Sequence, residues 1–109
     1  MKNESVFIDL VGNSPKARVL DFLLESYMFD YSLSDICKNS NVGWTTLHTF
    51  WEELEKLELV VNTRMVGKAK MYKMNIKNPT VQLLIKFVTE LSFKAGDLEI
   101  AKQQVQIAK

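Results

Sequence analysis

The last stretch of the chain constrains it most. After Asn78-Pro79-Thr80 there is no further proline and a single glycine, Gly96. Apolar residues step through this stretch by three and four: Val81, Leu84, Val88, Leu91, Ala95 and Leu98. That is a heptad-like seam, which then shifts phase to Ala101, Val105 and Ala108. Pro79 suits a first helical position, where its missing N–H costs nothing. A helix over 80–108 extends roughly 43 Å at ~1.5 Å per residue. Either the rest of the chain covers the seam or a second copy does, and its length favours dimerisation. Gly96-Asp97 is the weak point where such a helix can bend, since a mid-helix glycine costs about 1 kcal/mol.

Little chain remains for anything but one domain. At 109 residues, 47% hydrophobic and 25% charged, with 4 Gly and 2 Pro, collagen-like, low-complexity and largely disordered classes are excluded. No apolar run approaches the ~20 residues that span a bilayer, so no membrane partner is expected. The stretch 1–9 carries Glu4 and Asp9 and lacks a basic-then-apolar signal pattern. The lone Cys37 cannot form an internal disulfide and suits a reducing compartment. A cytoplasmic, nucleoid-associated protein is the resulting expectation.

The net charge of +1 conceals an asymmetry. Residues 1–60 hold ten acids against five bases, and residues 61–109 hold nine bases against three acids. Arg64, Lys68, Lys70 and Lys73 fall within ten residues with no acid among them. Such a cluster creates a local positive field that the total hides, although a merely solvated face has the same composition.

Local signals divide the chain into 1–13, an N-terminal segment, 14–78, a domain, and 79–109, the terminal helix. Val6-Phe7-Ile8 and Leu10-Val11 form a short apolar segment ending at Gly12. Ser14-Pro15 then starts a helix over 15–28, with Ser14 as cap. Ala17, Leu20, Leu24 and Tyr27 mark one of its faces, and Val19, Phe22 and Leu23 another. So wide an apolar surface requires a second burial partner, either the N-terminal segment or another subunit. Asp30-Tyr31-Ser32 reads as a turn, and Ser32 or Ser34 can cap a short helix to about Asn39. A third helix over 44–57 has Leu47, Phe50, Trp51, Leu54 and Leu57 as its core stripe. Rough alternation over 59–66 and 70–76, separated by Gly67-Lys68-Ala69, predicts a β-hairpin with a basic tip. Met65, Met71 and Met74 are read as filler between hairpin and helices.

Helix, short helix, tight turn, helix and hairpin follow one another as in the winged helix-turn-helix proteins, and residues 14–78 resemble that family position by position. Cys37 stands where the second helix needs a small residue, after the apolar Ile36. Asn41 stands where the inter-helix turn needs a left-handed residue, and Val42 follows it. Leu47 and Phe50 match core positions of the recognition helix, and 54–60 resembles the passage into the first wing strand. Two departures are Gly43, where Ser or Thr usually caps, and a recognition helix with no Lys or Arg before Lys56. The arrangement is most similar to small archaeal winged-helix transcriptional regulators. The implied fold is mainly α with a small β-hairpin, a winged helix-turn-helix plus a long C-terminal dimerisation helix.

The resemblance implies a homodimer on double-stranded DNA, with helix 44–57 entering the major groove by its N-terminus. Residues off the buried stripe there are Trp44, Thr45, Thr46, His48 and Thr49, although Trp44 shares a face with Leu47 and Trp51 and can pack on the core or the wing instead. Threonine hydroxyls and methyls, and an imidazole facing a purine N7, suit phosphates and base edges. The free N–H groups of the helix start attract a phosphate. Arg64, Lys68 and Lys70 of the wing, 64–73, would reach the flanking backbone or minor groove. Three or four phosphate contacts per subunit of a dimer give a log K versus log salt slope of about −5 to −7. Glu52, Glu53, Glu55 and Glu58 should point away from DNA.

Two other readings share the fold. One is a protein-binding module using the acidic recognition helix and the apolar first helix; the other is a non-specific chromatin-type DNA-binding protein. The discriminating feature is whether the wing bases share a surface with Thr45, Thr46 and Thr49. No enzyme is expected, for there is no Gly-rich phosphate loop, no Cys-x-x-Cys, and His48 has no nucleophile partner. One His and one Cys cannot close a zinc site, so neither metal nor cofactor is expected, and no small-molecule ligand is evident.

Overall fold

The computed structural model describes the backbone of residues 5–108 and the side chains of residues 5–94. The N-terminal apolar segment is a short helix, α1 (Val6–Val11). Ser5 caps it by accepting from the Ile8 N–H at 3.1 Å, and its hydroxyl donates to the Asp21 carboxylate at 2.7 Å. Phe7 and Ile8 are thereby buried. Of the two burial partners that the wide apolar surface of the next helix called for, the N-terminal segment is one. That next helix, α2 (Pro15–Glu25), is capped by Ser14, which accepts from the Ala17 N–H at 3.1 Å. It stops short of Met28, because the chain turns at Ser26 and leaves Met28 and Phe29 exposed.

Tyr31–Ser32 is not simply a turn. It forms a two-residue strand, β1, antiparallel to the hairpin, with Tyr31 opposite Tyr72. Ser32 then caps α3 (Leu33–Ser40), accepting from the Asp35 N–H at 3.2 Å. Asn41 is left-handed, φ 56° and ψ 48°. Arg18 of α2 holds this corner by donating to the carbonyls of Ser40 and Asn41, at 3.1 and 3.2 Å.

The single helix expected over 44–57 is divided into α4 (Trp44–His48) and α5 (Trp51–Lys56). The Thr49 and Phe50 amides donate three residues back, to Thr46 and Leu47, at 3.0 and 3.2 Å. The Thr49 hydroxyl donates to the Thr46 carbonyl as well, at 2.6 Å. This local competition tightens the chain out of the α-helical bonding pattern. The stripe survives the break, since Leu47, Phe50, Trp51 and Leu54 are all buried. Leu57 is exposed instead, past the end of α5. Leu47 has no exposed surface, so Leu47→Ala should cost about 2–5 kcal/mol.

The hairpin joins β2 (Val60–Val66) to β3 (Ala69–Met74), and the sheet order is β1-β3-β2. Gly67 and Lys68 form its tip, with Gly67 at φ 61°, as a two-residue hairpin turn with glycine first requires. A register shift between Asn62 and Arg64 kinks β2. The inward residues Val60, Tyr72 and Met74 close the core. Of the methionines read as filler, Met74 is fully buried, Met71 half-buried and Met65 exposed. Ile76, expected on the same side as Tyr72 and Met74, lies beyond the strand and is exposed.

The terminal helix, α6 (Pro79–Ala108), runs on through Gly96. Its first turns belong to the chain's own core: Val81 is fully buried, and Leu84, Ile85 and Val88 pack against the core cluster. The elements it meets are α1 and α2. Val81 therefore cannot face a second copy as expected, because the chain's own core already buries it. Leu91 is half-buried, and the side chains of Ala95 and Leu98 lie outside the described residues. The fold is a winged helix-turn-helix, mainly α with a small antiparallel sheet, extended by a long C-terminal helix. No helix among the described residues is long and apolar enough to cross a membrane.

Candidate nucleic-acid interface

The start of α4 has little to cap it. Gly43 supplies no side-chain bond, so the first amides of the helix lack a capping partner. With only five residues in α4, the expected attraction of a phosphate to this helix start loses force, since few peptide dipoles align. The side chains matter more. Trp44 is 54% exposed and lies against His48, ring centroids 4.5 Å apart and planes tilted by 45°. His48 Nδ1 stands 2.8 Å from the Trp44 carbonyl oxygen. A carbonyl only accepts, so Nδ1 carries the proton and Nε2 is the nitrogen left for an outside partner. Thr45 and Thr46 are exposed. Thr49 is exposed too, but its hydroxyl proton is committed to the Thr46 carbonyl.

The wing approaches the same end of α4. Lys68 and Lys70 of the hairpin and Trp44 line one groove of about 280 Å³. Its remaining walls are Leu33, Ala69 and Tyr72, with Ser32 and Ser34 from the start of α3. No acid lines it. Burial pushes the Tyr72 phenol above its ordinary value, and the nearby Glu55 acts in the same direction. Tyr72 also meets the buried Trp51 edge to face at 5.2 Å. The Trp51 indole N–H has no hydrogen-bond partner among the described residues.

Arg64, the third expected wing base, does not join this groove. Its Nε and Nη2 donate to the Asp30 carboxylate at 2.9 and 3.1 Å, and Thr63 donates to the same carboxylate at 2.6 Å. These bonds, that from Arg64 first, hold the Asp30 carboxyl at about 2 instead of 3.8, and Asp30 raises the Arg64 guanidinium in turn. The pair lies across the sheet beside the exposed Met28 and Phe29, in a separate hollow shared with Lys73.

Two acids of the recognition segment form ion pairs away from the groove. Glu53 of α5 meets Lys16 of α2 at 2.7 Å, and Glu52 meets Lys56 at 3.2 Å along α5 itself. Cys37 is half-buried in the core, which raises its thiol pKa. Among the described residues no group of three or more His, Cys, Asp or Glu could hold a metal ion.

Sequence reasoning brought Trp44, Lys68 and Lys70 to one side but missed the floor of the groove. Leu33, Ser34 and Tyr72 become part of it because β1 carries the start of α3 alongside β3. The signal available for that was Tyr31, a strand-favouring aromatic directly before the Ser32 cap.

No family model matches the chain, and no curated protein matches it. Two solved structures share its fold. One is Sso10a-2, a DNA-binding protein from Sulfolobus solfataricus, 13% identical, with a TM-score of 0.50 over 84% of this chain and 92% of that one. The other is NadR, solved in complex with 4-hydroxyphenylacetate, 15% identical, with a TM-score of 0.56 over 94% of this chain and 74% of that one.

Proposed function

We propose that the chain is a DNA-binding protein, a homodimeric transcriptional regulator that acts in the cytoplasm on double-stranded DNA and has no catalytic role. The observation that carries this reading is the groove in which Lys68 and Lys70 stand beside Trp44, with no acid in its lining. Of the acids that argued for a protein-binding module, Glu53 is paired with Lys16 of α2 and Glu52 with Lys56 along its own helix. The likeness in fold to Sso10a-2, a DNA-binding protein, supports the same reading. The start of α4, with Trp44, Thr45, Thr46, His48 and Thr49, faces the major groove, and Lys68 and Lys70 hold the flanking backbone or minor groove. Arg64 contributes less, being tied to Asp30.

The second copy docks along α6, where Leu83 and Phe87 are exposed and Leu91 is half-buried. In the sequence the apolar spacing continues at Ala95 and Leu98. Fluorescence anisotropy with genomic and random duplexes at two salt concentrations tests the DNA reading. Binding that weakens steeply with salt and favours some sequences is expected. Equal affinity for random duplexes would make the protein a chromatin-type binder instead, and no binding at low salt would sink both. Sedimentation of a chain cut after Lys94 tests the dimer while leaving Val81 in its core. A cut chain that stays dimeric would remove the far part of α6 from the interface.

A further inference from the structure

The groove between the wing and α3–α4 offers more apolar surface than a phosphate needs. Leu33, Tyr72 and the exposed Trp44 wall it, while a phosphate asks for N–H donors and cations. Nor does the neighbouring helix carry the side chains that make the strongest contacts with a paired purine. Between Trp44 and Trp51 there is no Arg, Lys, Asn or Gln, the residues that form bidentate contacts with purines. The helix start presents a broad indole instead, and the two lysines stand at the same groove. An aromatic platform flanked by cations is the arrangement that accepts a base out of its stack, with its phosphates on the cations. The volume, about 280 Å³, falls just below the ~300–1,000 Å³ of typical small-ligand pockets, a scale that suits one nucleotide.

Two other hollows among the described residues lack this combination. The one beneath α1 contains Asp21 and Glu25, and the one beside Phe29 contains Asp30 bonded to Arg64. Repulsion or neutralisation disfavours a phosphate at either of them.

We propose that this groove binds an unpaired nucleotide of DNA, with Trp44 stacking on the base and Lys68 and Lys70 holding the adjoining phosphates. The protein then prefers a duplex with a single-stranded tail to the same duplex with blunt ends. The inference rests on the DNA-binding reading and names the nucleic-acid form that the same site selects.

Anisotropy at one salt concentration tests it, using a blunt duplex, the same duplex carrying a short thymidine tail, and the single strand. The expected ratio of tailed to blunt affinity is roughly five- to a hundred-fold, the range for one base–aromatic stack. Trp44→Ala should bring that ratio to about one, and Trp44→Phe, which keeps a ring, should retain most of it. Trp44 is exposed, so both variants should melt near the parent temperature, which thermal denaturation checks. Equal affinities for tailed and blunt duplexes, or a preference that persists in Trp44→Ala, would overturn the proposal and leave the duplex-binding reading standing. Failure to bind any of the three DNAs would overturn both.

Discussion

Arg64 and Lys70 belong to one hairpin and stand six residues apart in sequence, yet their surroundings differ completely. Arg64 is held by two hydrogen bonds to Asp30 and serves to tie the start of β1 to β2 across the sheet. Lys70 lines a groove with Lys68 and Trp44 that has no acid in its walls. A run of basic residues thus separates into a structural cation and cations turned toward a ligand. The division is made by where an acid 34 residues earlier comes to rest, not by the spacing of the bases themselves.

This contrast can be broken by charge reversal. Lys68→Glu with Lys70→Glu should weaken DNA binding to all sequences by at least about a hundred-fold, since each replacement removes a charge-assisted contact of about 1.5–3 kcal/mol. The salt slope should fall by about one for each lysine replaced. Anisotropy at several salt concentrations reads both effects, and an unchanged slope would take the wing out of the interface.

Shape at the tip comes next. Gly67→Ala places a β-carbon on a residue at φ 61°, and thermal denaturation should show a loss of about 1–2 kcal/mol. Nothing crowds that position, so no steric clash adds to the backbone strain.

The structural half of the contrast is read through Asp30. In Arg64→Ala its carboxyl should return from about 2 toward 3.8 in an NMR titration, while DNA affinity changes less than with the lysine pair. Because the folded-state value is depressed, the contribution of this anchor to stability is present above about 3.8. It disappears as pH falls through about 2. In Arg64→Ala most of that loss near pH 3 should vanish; if acid unfolding is unaltered, the pair is not an anchor.

The smallest expected effect is at Glu58, a non-glycine residue at φ 57° where the chain leaves α5 for β2. Glu58→Gly should raise stability by about 0.5–1 kcal/mol without changing DNA binding. A loss of stability would show that the carboxylate has a partner worth more than the strain.

These cases also show which parts of the molecule a sequence discloses. Caps and turns are local, so Ser14, Ser32 and the left-handed Asn41 could be read from their neighbours. The hairpin could be read as well, because alternation and Gly67 act over a few residues. The break between α4 and α5 could not. Leu47, Phe50, Trp51 and Leu54 keep their helical spacing across it, and no glycine or proline marks it. The helix α1 escaped because six residues around one serine cap form a weak signal that only contact with α2 and α6 makes stable. At the candidate site, Lys68 and Lys70 were legible as exposed positions, whereas the exposure of Trp44, which shares a helical face with Leu47 and Trp51, was not, and the removal of Arg64 depends on Asp30. The terminal seam disclosed its apolar period but not its partner, since the same spacing serves the buried Val81 and the half-buried Leu91.

The two tryptophans, one 54% exposed beside His48 and one buried against Tyr72, make the protein its own dual reporter. Indole emission moves to the blue in apolar surroundings and to the red in water. A ligand entering the groove should quench or shift the red component from Trp44, while the blue component from Trp51 stays fixed as long as the core is intact. Occupancy and integrity can therefore be followed at two wavelengths in one unlabelled sample.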